Sequence, residues 1–336
     1  MFNNLNLLFL LMTTAGSILA VSSPNWLGTW MGLEMNMLSF VPLMIEQKNM
    51  FSNESALKYF LIQSSASALF LMFCVMNMHS QFSFFAFNPS LSINFGLTIP
   101  LLIKLGASPF QSWFIMVMEG LTWFKSFLLM TWQKIAPLFI LSFVMIPNQL
   151  LSYLAIMSLM VGSIGGLTQT SLRKILAFSS VNHLGWMFSS LMISKTLTTL
   201  YFLFYSVMNL LILLHLKMNF IFQLTQIYSK PQLISFSVSL LSLGGLPPFL
   251  GFLPKWMIIQ PLIFNNSFFL CFILVMTALI TLFYYLHLIY MNLIMLSFTQ
   301  KYNSSSYNQS PTIMALNAIM VTVAMSGLIL FNLILT

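Results

Sequence analysis

The chain has 336 residues, of which 59% are hydrophobic and only 5% charged, whereas a soluble domain needs roughly 25% charged residues to cover its water-facing surface. That excludes a soluble globular protein and leaves lipid as the main solvent, and with no polar linker between two cores the whole of 1–336 reads as a single membrane domain. The formal charge of +8 comes from eleven Lys and one Arg against four Glu, scattered singly between apolar runs, which excludes a basic nucleic-acid-binding face.

Taken in chain order, apolar stretches near twenty residues long, bounded by polar or turn-forming residues, predict an all-α bundle of about eleven transmembrane helices. They lie at 4–22, 26–45, 56–78, 92–118, 124–146, 150–170, 174–192, 196–222, 232–264, 268–296 and 312–335. The first run, 5–21, lacks the basic flank of a signal peptide, and no Arg-rich transit sequence is visible, so insertion at the place of synthesis is expected. The fourth and ninth stretches are long for one straight crossing. Both contain prolines, Pro100 and Pro109 in one and Pro247, Pro248 and Pro254 in the other, so each is expected to be one broken crossing. Alternation of the loops then puts Lys48, Lys58, Lys125, Arg173, Lys174, Lys217, Lys230 and Lys301 on the amino-terminal side and only Lys195 on the opposite one. By the positive-inside rule the amino terminus faces the compartment in which the protein is made.

Four charges are left inside the spans: Glu34, Lys104, Lys134 and Lys255. A charge at the bilayer centre costs roughly 2.5–3.5 kcal/mol on insertion scales, which makes an intramembrane charge a functional residue by default. Proton or ion handling is the reading taken, against the plainer one of interhelical ion pairs that fix the bundle. Loss of water disfavours the charged form of an amine, and a carboxylate beside it restores that form. At ~4 Å and an effective dielectric near 20, such a pair is worth about 4 kcal/mol. Moving one charge against ~150 mV costs roughly 3.5 kcal/mol, so opening and closing a pair is a switch of adequate size.

His183 lies inside the seventh span with Ser179, Ser180 and Asn182 close in sequence, and the group is either a water-filled proton intake or a packed polar patch. His79, His215 and His287 are expected to be interfacial or water-bridging, and Glu119 and Lys125 to be boundary charges flanking a turn. Cys74 and Cys271 stand alone in apolar segments without ligand spacing, so no metal, haem or iron–sulfur site is expected from them. No phosphate-binding glycine loop or catalytic triad is present either.

Five segments carry a resemblance: WMGLEMNMLSFVPL (30–43), PLLIKLGASPFQSWF (100–114), TWQKIAPL (131–138), LRKILAFSSVNHLGWM (172–187) and GGLPPFLGFLPKW (244–256). In this order they resemble the signature segments of the chain 2 family of antiporter-like membrane subunits in mitochondrial NADH–ubiquinone oxidoreductase, respiratory complex I. The last seventy or so residues match mainly by hydropathy, and the abundance of Met, 27 residues, fits an AT-rich mitochondrial genome. The resemblance implies two inverted five-helix repeats, about 4–146 and 150–296, each with a broken helix, followed by an extra helix at 312–335. The similar breaks LGASPF (105–110) and LGGLPPF (243–249) agree with that.

The resemblance also implies a catalytic proton relay of Glu34, Lys104, Lys134 and Lys255, with Glu34 paired to Lys104 and His183 on an intake path. It implies no cofactor in this chain, while the complex uses NADH, FMN, iron–sulfur clusters and ubiquinone in other subunits. Partners would be the other core and accessory subunits, including neighbouring antiporter-like chains, and membrane lipids. The location would be the mitochondrial inner membrane with the amino terminus on the matrix side. Larger bacterial relatives carry three further amino-terminal helices, which this sequence is expected to lack as animal members do. Two other functions fit the same architecture: a stand-alone cation/proton antiporter, and a scaffold whose buried charges only fix helix register.

Overall fold

Lipid offers no hydrogen bonds, so the backbone must satisfy itself within helices, and the structure, a computed structural model, follows that rule. It describes residues 4–46, 49–82, 89–144, 146–219, 221–223, 226, 233–298 and 311–327. Two compact units are present, Met1–Leu154 and Ala155–Thr336.

The first unit begins with α1 (Asn4–Ser22) and α2 (Trp26–Met44), each about 28 Å long, close to the hydrocarbon thickness of a bilayer. They pack backbone to backbone. A Cβ at Gly16 would stand 2.8 Å from the Asn36 nitrogen, and one at Gly32 would stand 2.4 Å from that of Ala20. Small residues at these positions let the helices approach closely enough to gain dispersion contacts that lipid does not supply. Next come α3 (Met50–Phe82) and the two parts of the fourth span, α4 (Pro89–Leu105) and α5 (Ser112–Gly120).

The fifth span differs from expectation. It is broken into α6 (Trp123–Met130) and α7 (Trp132–Phe143) at Thr131, whose φ is −114° and ψ −70°. No proline stands at the break. Instead the Thr131 hydroxyl donates to the Phe127 carbonyl at 2.7 Å, and the Lys134 amide turns to the Thr131 carbonyl at 3.1 Å. Pro137, inside α7, has no amide to offer the Gln133 carbonyl one turn back. A sequence scan for prolines at the break therefore misses this interruption.

α8 (Asn148–Leu167) is followed, in the second unit, by α9 (Leu172–Leu191), α10 (Lys195–Asn219), the broken pair α11 (Leu233–Gly244) and α12 (Phe252–Phe264), α13 (Phe268–Phe298) and α14 (Pro311–Met325). Gly162 and Gly185 admit α8 and α9 to backbone contact: a Cβ on Gly162 would lie 2.5 Å from the Asn182 nitrogen. Phe249, at the second break, packs in an apolar cluster with Leu211, Val238, Met320 and Ala324, which holds α14 against the broken helix.

The two expected breaks share one construction. In the first, the Gly106 amide donates to Ile103 and that of Ala107 to Leu102. In the second, the Gly245 amide donates to Ser242 and that of Leu246 to Leu241. Both are Schellman closures, and Gly106 (φ 65°) and Gly245 (φ 76°) supply the left-handed residue such closures need. In each a further tight turn follows, from the Phe110 amide to Ala107 and from the Phe249 amide to Leu246.

Candidate functional site

In the first unit six helices, α2 to α7, converge on two lysines. Lys104 lies in the last turn of α4, two residues before the left-handed Gly106, and Lys134 lies in the first turn of α7, just past Thr131. Their side chains are 7% and 2% exposed, and both line one cavity. Apolar walls come from Leu33, Met37, Leu129 and Pro137, and polar ones from Asn36, Tyr59, Gln63 and Gln133. About 20 Å³ is open to the centres of water-sized spheres, enough for a water or so. The Lys134 ammonium lies 4.9 Å from the centre of the Phe114 ring, an aromatic face that favours its charge.

Glu34, half-buried on α2, acts on Lys104 through its field. Glu34 and Lys104 do not meet in a salt bridge, whereas Lys58–Glu54 and Lys125–Glu46 do, both at 2.6 Å. Lys125, expected to be a boundary charge flanking a turn with Glu119, ties the start of α6 to the end of α2. Its amine reaches Glu46 and, at 3.2 Å, the Met44 carbonyl.

The second unit holds Lys255 and His183. Lys255, 5% exposed in the first turn of α12, reaches back across the break and donates to the Gly244 carbonyl at 2.7 Å. Its ammonium stands 5.6 Å over the ring of Trp186. Trp186 stacks on Tyr201 (centroids 6.4 Å apart, planes 6°), and the Tyr201 hydroxyl is 2.8 Å from His183 Nδ1. His183 and Lys255 thus belong to one buried cluster, joined through two aromatic residues that a search for charges passes over.

Ser179 and Ser180 spend their hydroxyl hydrogens on the carbonyls of Leu176 and Ala177, one turn back, and keep only acceptor capacity. Asn182 is packed against Gly162. His215, one turn from the end of α10, is buried, stacked 5.3 Å from Phe236 and hydrogen-bonded by Asn219. His287 is exposed on α13, and the side chain of His79 lies outside the described residues, as do Lys48, Lys230 and Lys301. Among the described residues no three His, Cys, Asp or Glu side chains gather as a metal-ligand set.

The residues that charge-based reading missed are uncharged: Asn36, Tyr59, Gln63 and Gln133 in one unit, Trp186 and Tyr201 in the other. Amides in mid-span carry part of the cost of a charge, so Gln63 and Gln133 were visible as polar residues in apolar runs.

Comparison with known proteins agrees with this architecture. Residues 23–281 match the family model described as NADH:quinone oxidoreductase/Mrp antiporter, TM. Over 98% of its length the chain is 42% identical to NADH-ubiquinone oxidoreductase chain 2 of Anopheles gambiae, covering 97% of that protein. It is 44% identical to the same chain of Aedes aegypti, again with 98% and 97% covered. Among solved structures, a chain of respiratory complex I from Thermus thermophilus superposes with a TM-score of 0.82 at 24% identity, covering 96% of this chain and 78% of that one. A chain of the Mrp complex from Dietzia superposes with a TM-score of 0.75 at 17% identity, over 84% and 59% of the two chains.

Proposed function

This chain belongs to the NADH-ubiquinone oxidoreductase chain 2 family, and from that premise we propose that Glu34, Lys104, Lys134 and Lys255 form its proton relay. The protein is a multi-pass mitochondrial membrane subunit of complex I that translocates protons and assembles with the other subunits of that enzyme. In our reading it binds no cofactor. NADH, FMN, the iron–sulfur clusters and ubiquinone belong to other chains, the membrane is the inner one, and the amino terminus lies on the matrix side.

One observation carries the relay: two buried lysines from different helices line a single cavity with room for water. Two amines that share a water can exchange a proton without either crossing lipid. Glu34 acts as the switch. Drawn toward Lys104 it holds a proton there, and withdrawn it leaves a desolvated ammonium that gives its proton toward Lys134. Lys255 is the terminal member in the second unit, with the His183–Tyr201 pair as its proton intake.

Lys134→Met in the assembled complex, measured as proton uptake per NADH oxidised in sealed vesicles, tests this. The expected result is reduced uptake while the complex stays intact and still oxidises NADH with an artificial acceptor. Unchanged uptake would reduce the buried charges to helix glue. The fold shared with the Mrp complex supports a second reading, a cation/proton antiporter. Isolation in mild detergent separates the two, since a complex I subunit comes out with chains that oxidise NADH.

A further inference from the structure

Three uncharged side chains from three helices meet in the cavity between Lys104 and Lys134. Gln133, the residue before Lys134, accepts a hydrogen bond from the Tyr59 hydroxyl of α3 at 3.3 Å, and its Nε2 donates to Asn36 Oδ1 of α2 at 3.0 Å. Asn36 stands two residues from Glu34 on the same helix. Tyr59 is held by Phe40, edge-on at 5.4 Å, and by Trp113 at 6.0 Å, so its hydroxyl is aimed. One turn along α3, Gln63 approaches the Lys104 carbonyl at 3.5 Å.

We propose that Gln133 is a positioning residue for the proton step from Lys104 to Lys134, and that its bond to Asn36 transmits the state of the Glu34 helix to Lys134. The inference rests on the relay proposed above and goes further by naming the link between switch and carrier. An amide does not itself relay protons at neutral pH. Its value is geometric, because with its oxygen fixed by Tyr59 and its nitrogen by Asn36 it presents one defined polar wall to the cavity.

The location favours movement. Gln133 sits in the first turn of α7, just after the break at Thr131, and its own carbonyl faces Pro137, which has no amide. This turn is therefore held less firmly by its backbone than a mid-helix turn. A shift of α2 that follows opening or closing at Glu34 pulls on Asn36, and through it on Gln133 and the adjoining Lys134.

The test compares Gln133→Leu, Gln133→Glu, Asn36→Leu, Tyr59→Phe and Lys134→Met in the assembled complex, read as proton uptake per NADH in vesicles. Gln133→Leu is expected to lower uptake toward the Lys134→Met value. Gln133→Glu, which keeps an acceptor for Tyr59 and can still bond Asn36 once the Asn36 amide turns its NH2 toward it, is expected to retain more uptake than Leu. A purely structural role gives the reverse order, since a buried carboxylate perturbs packing more than a leucine, and that order would overturn the inference. If Lys134→Met lowers uptake while Gln133→Leu and Tyr59→Phe match the parent, the relay stands and the link is wrong. If Lys134→Met has no effect, the relay itself falls and the link with it. Should Gln133→Leu fail to assemble, Asn36→Leu decides alone, since it removes the acceptor of the Gln133 Nε2 and nearly keeps the side-chain volume. Lowered uptake supports the link and unchanged uptake overturns it.

Discussion

Lys104 and Lys255 both stand beside a helix break, but on opposite halves of it. Lys104 ends α4, where the carbonyl end of the helix favours a cation. Lys255 begins α12, where the helix end disfavours one, and it compensates by reaching back to the Gly244 carbonyl that terminates α11. Two adjacent glycines then have unequal duties. At Gly245 φ is 76°, and a Cβ would lie 2.9 Å from Cδ and Nζ of Lys255. At Gly244 the nearest atom to an added Cβ is 3.6 Å away, on Tyr285. Gly245→Ala is expected to cost about 1–2 kcal/mol from the left-handed backbone alone and to push the Lys255 amine off its carbonyl. Gly244→Ala, at the end of a helix, should be near neutral. Thermal denaturation of the complex together with proton uptake checks both; equal tolerance of the two would show that Lys255 is not held by this geometry.

At the scale of elements, the pair α1–α2 sets where Glu34 and Asn36 stand. Small residues at Gly16 and Ala20 face Gly32 and Asn36 across the pair. Gly32→Val places two methyl groups where the backbone of Ala20 already lies, and no side chain can yield, so α2 must move outward. The expected outcome is loss of the chain from the assembled complex, or an assembled complex with lowered proton uptake. Leu38→Ala, on an exposed part of α2, should leave both unchanged. Blue-native gels and vesicle assays read the difference. Which helix answers the small residues of α2 is decided by packing and is not legible in the sequence. The break at Thr131 was less visible still, because a threonine hydroxyl and a proline six residues on together do what a proline does alone.

Across the molecule, each unit contains one contact that bears on topology. In the first, the Lys125–Glu46 bridge puts the start of α6 beside the end of α2, so α3 and the broken α4–α5 together return the chain to the same side. In the second, Ser171 pairs with Gln223 and Arg173 lies 4.5 Å from the Phe222 ring, which brings the ends of α8 and α10 together. The first supports counting the broken α4–α5 as one crossing, and the second makes α9 and α10 a there-and-back pair. Single cysteines introduced at Thr168 and Thr196, in a background lacking Cys74 and Cys271, are expected to react with an impermeant thiol reagent from opposite faces of the inner membrane, Thr168 from the matrix. Labelling of both from one face would invalidate the alternation.

The membrane fold, the two proline breaks and the four charges within the spans were all legible in the sequence, because each is a local property. Lipid dictates long apolar runs, proline and glycine interrupt them where they stand, and a charge in such a run is conspicuous whatever its neighbours. The family followed from the order of those features. Only the tertiary structure decided that Glu34 and Lys104 are apart, that Lys125 answers Glu46, and that Asn36, Tyr59 and Gln133 meet between two lysines. Those outcomes depend on how far each helix is rotated about its axis and which others it faces. Residues 36, 59 and 133 lie on three helices whose rotations are set by small-residue packing and by a break that no single residue announces.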